Sequence, residues 1–123
     1  PARALAIDAF GRLFAAEGRT LTVRDRTGEE LGSLAFEDPL TALTWIDAAR
    51  RTLACATAHA LYSLTLGAAV GAEPLDPRWS EIIASELEPE LLIGDRTWIE
   101  GPAWDAQRRR LYFSDIPRNA VYA

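Results

Sequence analysis

The stretch "TWIEGPAWDAQRRRLYFSDIP" (Thr97–Pro117) sets one carboxylate, Glu100, in an Ile-Glu-Gly-Pro turn at the start of an apolar run. A second apolar run opens at Leu111, after a polar turn that contains three consecutive arginines, Arg108–Arg110. Two apolar runs joined by turn residues are typical of a β-hairpin. The stretch therefore predicts two antiparallel strands with an acid at the start of the first one.

The same pattern occurs twice earlier in the chain, in "LAIDAFGRLFAAEG" and "LTWIDAARRTLACATA". Each copy has a strand that ends in Asp, a polar turn, a strand that opens on Leu, and then a third strand. The aligned residues are Asp8, Asp47 and Asp105, and Leu13, Leu53 and Leu111. A unit of about 40 residues with four antiparallel strands fits one blade of a β-propeller. We expect the aspartates to close turns by accepting backbone N–H groups, the alternative being that they ligate or catalyse.

One segment does not fit this repeat. In "AEPLDPRWSEIIASELEPELLI", Asp76 can cap a helix that begins at Pro77, and apolar residues follow at helical spacing. We predict one short helix near residues 77–87, either packed on the sheets as a cap or used to bind a partner. Residues 87–93 then resume as a strand.

Composition limits the classes of function. The chain has 123 residues and a net charge of -5, which suits one domain and argues against binding to nucleic acid. No apolar run approaches the roughly 20 residues of a membrane span. A lone Cys55 excludes an internal disulfide and fits a cytoplasmic location. One Cys and one His, His59, cannot form a clustered zinc site within one chain.

Several other residues receive structural predictions. We expect His59 to be a turn residue and not a base, Ser114-Asp115 to be structural, and Arg108–Arg110 to be a solvated hairpin tip and not an anion site. Three tryptophans are expected in the core, with lining of a central channel as the alternative: Trp45, Trp98 and Trp104. The chain has no Gly-x-Ser-x-Gly elbow and no phosphate-binding loop.

The segment "WIEGPAWDAQRRRLYFSDIPRNAVYA" resembles the opening blade of the SMP-30/gluconolactonase family of six-bladed β-propellers. The similarity lies in Glu100-Gly101-Pro102, Trp104 and Leu111 through Pro117. The preceding "LDPRWSEIIASELEPELLI" resembles the usual lead-in of that family, and residues 5–66 resemble its last two blades. The resemblance thus covers nearly the whole chain, in permuted order and over about half of the family's length.

This resemblance implies an all-β fold of about three four-stranded antiparallel blades, which is half of a six-bladed propeller. The single partial propeller over residues 1–123 would have blades at 1–37, at 38–66 plus 87–93, and at 94–123, with a helical linker at 67–87. Such an arc leaves sheet edges and an apolar face uncovered. We therefore expect a second copy of the chain, or a complementary chain, to complete the ring.

The resemblance also implies a divalent metal at the centre of the ring, with Glu100 as one oxygen ligand. Calcium is the expected ion, with zinc, manganese or magnesium as alternatives. Arg3 falls where the family has an Asp ligand, and Asn119 matches a family Asn that follows the Ser-Asp-Ile-Pro strand. Both are candidate substrate-binding residues. The alternative for Glu100 is an acid at a solvated mouth.

The implied function is a metal-dependent lactonase-type hydrolase that acts on a small-molecule lactone as part of a completed propeller. Other metal ligands would then come from outside this chain. The alternative is a non-catalytic propeller fragment or assembly module with a degenerate metal site, which the arginine at the Asp-ligand position favours.

Overall fold

The protein is described by a computed structural model that covers residues 1–67 and 89–123. Within these residues the fold is all-β, with three antiparallel sheets of four, four and three strands and one short 3₁₀ helix, Ile116–Arg118. This confirms the predicted all-β class. The helix predicted near residues 77–87 lies outside the described residues. No helix in the described part of the chain is both long and apolar enough to cross a membrane.

The first sheet is a meander in which each strand pairs with the next one along the chain. Its strands are β1 Ala4–Ile7, β2 Leu13–Glu17, β3 Thr20–Arg24 and β4 Glu30–Ala35. The turn between β2 and β3 contains Gly18, whose φ of 63° suits a residue without a Cβ.

The second sheet has the same meander order but takes its fourth strand from further along the chain. Its strands are β5 Leu40–Trp45, β6 Thr52–Thr57, β7 Leu61–Thr65 and β8 Glu90–Ile93. Strand β8 pairs antiparallel with β7. Glu90–Ile93 thus forms the edge strand of this sheet, where the strand expected at residues 87–93 was to lie.

The third sheet has three strands: β9 Ile99–Asp105, β10 Arg110–Asp115 and β11 Ala120–Tyr122. The middle strand is β10, and β11 is an edge strand. The pairing between β9 and β10 contains a bulge, because Ala103 lies opposite Tyr112 while Glu100 lies opposite Ser114. Two residues of β9, Gly101 and Pro102, therefore face one residue of β10.

The three sheets stack face to face in chain order, and two cores lie between them. The first core joins the first and second sheets, with Phe14 and Leu21 packed in one cluster with Leu53 and Leu64. The second core joins the second and third sheets through residues that include Ala54, Ala56, Leu61, Ile99 and Phe113. Successive residues of β6 point to opposite faces of the middle sheet, so this sheet contributes to both cores. The described residues do not close the stack into a ring.

The tryptophans do not all take the expected core positions. Trp45 is partly buried and packs edge-on against Phe14, with 5.4 Å between ring centroids, and Trp104 is also partly buried. Trp98 is 41% exposed, so the expectation of a core position is wrong for this residue. Trp98 precedes β9 and is outside the strand alternation that buries Ile99.

Candidate functional site

The starting ends of β1, β5 and β9 lie at one end of the stack. Strand β5 contacts both β1 and β9. The hydroxyl of Thr41, at the start of β5, donates to the carbonyl of Ala56 at 3.2 Å and lies 3.5 Å from the carbonyl oxygen of Ile99, the first residue of β9. The first strands of the three sheets thus form a row, and the residues that lead into them are neighbours.

An open cavity of about 680 Å³ lies at this end. Its lining residues are Pro1, Arg3, Glu17, Gly18, Pro39, Thr41, Ala58 and Trp98. Sequence reasoning singled out Arg3 but missed Glu17 and Thr41, since no motif distinguishes them from other polar residues at strand ends. Trp98 is one of these lining residues. The alternative that one tryptophan lines a central channel stays a prediction.

Glu100 is exposed, although its neighbour Ile99 is fully buried in the second core. The next residue, Gly101, has a φ of 60° and begins the bulge of β9. Bulges turn the strand locally and change the direction in which side chains point. The hydroxyl of Ser114 donates to the backbone carbonyl of Glu100 at 3.0 Å, which holds the backbone and leaves the carboxylate in solvent.

A buried carboxylate fixes the segment that leads to Glu100. Asp115 is fully buried, and its two oxygens accept the backbone N–H groups of Thr97 and Trp98, each at 3.1 Å. The guanidinium of Arg118 lies 3.5 Å from the same carboxylate. The structural interpretation of Ser114-Asp115 is therefore confirmed, because both residues position the start of β9.

The other two candidate residues lie at the same end as Glu100. Arg3 is exposed, lines the cavity, and donates its backbone N–H to the carbonyl of Ala16 at 2.8 Å. Asn119 is exposed and ends the 3₁₀ turn in the left-handed conformation, with a φ of 48°. This turn contacts the start of β9, since the N–H of Ile116 donates to the carbonyl of Trp98 at 3.2 Å. Neither Glu100 nor Asn119 lines the cavity that Arg3 lines.

The three repeated aspartates lie at or just beyond the opposite ends of β1, β5 and β9 and close turns there, as predicted. Asp8 accepts the N–H groups of Phe10 and Arg12, Asp47 those of Arg51 and Thr52, and Asp105 those of Gln107 and Arg108. Partial burial raises the pKa of Asp47, but the hydrogen bonds from Arg51 and Thr52 outweigh it and hold that pKa below its ordinary value. Hydrogen bonds from Arg108 lower the pKa of Asp105.

The remaining residues singled out from the sequence lie in turns, at a strand start or in the core. Arg108–Arg110 form part of an exposed hairpin tip, with Arg108 paired to Asp105 at 2.9 Å. His59 lies in the turn between β6 and β7, and its exposed ring is 3.1 Å from Asp38. Cys55 is fully buried, and this burial raises the pKa of its thiol to about 12, which excludes an accessible thiolate.

The described residues do not fit a metal site on their own. Within residues 1–67 and 89–123 there is no group of three or more His, Cys, Asp or Glu side chains that could hold an ion. Calcium takes six to eight oxygen ligands. Of the expected ligand set, this part of the chain supplies Glu100 alone, so the remaining ligands would have to come from elsewhere.

No protein-family model, no curated protein and no solved structure matches this chain. The similarity to the SMP-30/gluconolactonase family therefore rests on the residues quoted from the sequence. What it implies about activity remains a prediction.

Proposed function

We propose that the chain is part of a lactonase-type hydrolase of the gluconolactonase kind, whose six-bladed β-propeller is completed by another chain. The observation that carries this proposal is the position of Glu100, an exposed carboxylate set by a bulge at the start of the row formed by β1, β5 and β9. In a propeller the first strand of each blade lines the central channel. Glu100 would therefore stand at one mouth of that channel.

The reaction is the addition of water to the ester bond of a cyclic substrate. The carbonyl carbon gains the hydroxyl, the ring oxygen leaves with a proton, and the product is an open-chain hydroxy acid. Arg3 in the cavity suits the carboxylate that this reaction creates, and the amide of Asn119 suits the hydroxyl groups of a sugar lactone. The substrate is a small molecule, and no role with nucleic acid or membrane is proposed.

The proposed enzyme binds a divalent cation. Glu100 would be one of its oxygen ligands and the other chain would supply the rest, with calcium expected and zinc, manganese or magnesium as alternatives. Such an ion would supply Lewis-acid chemistry, for a carbonyl or for a water molecule. We place the protein in the cytoplasm, because its single cysteine, Cys55, is a buried free thiol.

The test is hydrolysis of a panel of sugar and aliphatic lactones by the purified chain, with and without a chelator. We expect a chelator to abolish hydrolysis and Glu100→Gln to reduce it by about 100-fold or more, since the variant removes a charged ligand. The matched control is Glu90→Gln, which makes the same change at an exposed residue of β8 and should keep full activity. Full activity in Glu100→Gln would refute the proposal.

Two observations favour a second candidate, a non-catalytic propeller module. The described residues hold no cluster of potential metal ligands, and the cation Arg3 lines the cavity at the end where Glu100 lies. This candidate predicts that no lactone is hydrolysed and that the assembled protein carries no metal. Stoichiometric calcium binding that Glu100→Gln abolishes would refute it.

A further inference from the structure

Two sheet faces, one at each end of the stack, pack against no other described sheet. We call the face of a sheet that points to the preceding sheet its trailing face, and the face that points to the following sheet its leading face. The trailing face of the first sheet carries Leu5 and Ile7, which are 59% and 53% exposed. The leading face of the third sheet carries Tyr112 and Val121, of which Val121 is 74% exposed.

The assignment of these faces follows from alternation along the strands. Phe14 is buried in the first core, so Leu13 and Ile7, which lies opposite it, point the other way. Phe113 is buried in the second core, so Tyr112 and Ser114 point away from it. Val121 lies directly opposite Ser114 and shares its face.

The chain already makes this type of contact twice. The leading face of the first sheet packs on the trailing face of the second, and the leading face of the second packs on the trailing face of the third. The two remaining faces are one leading face and one trailing face. They are therefore the two kinds of face that pack together elsewhere in the stack.

Corresponding positions predict which residues meet. Ile7, Trp45 and Trp104 occupy the same place in the three sheets, each opposite one of the aligned leucines, Leu13, Leu53 and Leu111. The residue after that Leu points to the following sheet, and it is Phe14 in the first sheet and Tyr112 in the third. Phe14 packs edge-on against Trp45 with 5.4 Å between ring centroids. By the same relation, Tyr112 would meet Ile7 if the leading face of the third sheet packed on the trailing face of a first sheet.

We propose that a second copy of this chain covers both faces, so that the leading face of each copy packs on the trailing face of the other. This inference rests on the propeller of the proposed function and names the chain that completes it. A head-to-tail contact closes into a ring when the rotation between copies allows it. Two copies give six sheets, within the usual range of about four to eight blades.

The proposal makes the central site a shared one. Strand β5 lies between β1 and β9 within one chain, and the two-copy ring places β9 of each copy beside β1 of the other. Glu100 on β9 then lies next to the segment that carries the partner's Arg3. Neither copy would form the mouth of the channel alone.

The test is the mass of the assembled protein by native mass spectrometry and sedimentation velocity. We expect a dimer that Ile7→Glu and Tyr112→Glu each weaken at least about 100-fold, because each variant sets a charge in an apolar contact. The control is Ile116→Glu, the same chemical change at a residue that is 55% exposed and lies on the 3₁₀ turn outside both faces. Circular dichroism checks that each variant is folded.

A monomer, an open filament, or a dimer that neither Ile7→Glu nor Tyr112→Glu weakens would overturn the inference. A dimer that hydrolyses no lactone would refute the proposed activity and leave the assembly standing. Lactone hydrolysis by a monomer would refute the two-copy assembly and leave the proposed activity standing. The two proposals thus fail by different results.

Discussion

Glu100 is exposed because strand alternation points it away from the core that buries Ile99. Its neighbour Ile99 points into the second core, and Gly101 adopts a φ of 60° that opens the bulge of β9. Residues with a Cβ adopt that conformation at a cost of about 1 kcal/mol. Gly101 is therefore needed for the backbone conformation of the Ile-Glu-Gly-Pro turn, whatever the chemical role of Glu100.

We predict that Gly101→Ala lowers the free energy of unfolding by about 1 kcal/mol. An added Cβ has no neighbour within 4 Å, so the whole loss comes from backbone conformation and not from a clash. Urea unfolding measures the change. The matched variant is Gly94→Ala, where the φ is not positive and the added Cβ makes an ordinary contact with Leu91, so little change is expected. Equal stability of the two variants would contradict this prediction.

Single residues differ in how well the sequence predicts their roles. The aspartates Asp8, Asp47 and Asp105 were predictable as turn acceptors, because an Asp side chain reaches backbone N–H groups two to five residues further along the chain. The exposure of Trp98 was not predictable, because a large aromatic beside a buried Ile suggests core until the strand start is known. Glu17 and Thr41 carry no motif, and only the packing of β5 beside β1 and β9 brings them to the cavity.

At the scale of the element, each sheet has a tight Asp turn between its first two strands. The carboxylate of Asp47 accepts the N–H groups of Arg51 and Thr52, and that of Asp105 accepts those of Gln107 and Arg108. These bonds favour the ionised form of each carboxylate in the folded chain. They therefore connect the stability of the sheets to pH.

We predict that the turns lose their stabilising effect in acid. The pKa of Asp47 in the folded chain lies below its ordinary value of 3.8, so near that pH the unfolded chain binds the proton first. The contribution is full above 3.8 and is lost as the pH falls through the lowered pKa of the folded chain. Urea unfolding of the protein and of Asp47→Asn, between neutral and acid pH, measures it. We expect their difference in stability to shrink below pH 3.8, and a constant difference would contradict the prediction.

The strands themselves were largely predictable, because hydrophobic alternation and turn residues mark them in each repeat. The expected fourth strand of the second sheet also holds, since Glu90–Ile93 pairs with β7. The bulge of β9 was not predictable in detail, although the Gly-Pro pair marks an irregular strand. Pairing across a bulge depends on the partner strand, and a single strand's pattern does not contain that information.

At the scale of the whole molecule, the repeat predicts three similar sheets but not how they stack. The stacking direction emerges from β6, where Leu53 and Cys55 point to the first core and Ala54 and Ala56 to the second. With that direction, the trailing face of the first sheet and the leading face of the third pack against no other described sheet. A second copy, by our proposal, covers both and forms a six-sheet ring around a shared centre.

Cross-linking between copies tests this central claim most directly. Two single-cysteine variants, Ile7→Cys and Tyr112→Cys, are mixed and treated with a short bismaleimide, which spares the buried Cys55. The account predicts rapid covalent dimer formation in the mixture and little in either variant alone, because Ile7 of one copy faces Tyr112 of the other. Cross-linking that is absent from the mixture, or equally rapid in either variant alone, would contradict the proposed ring.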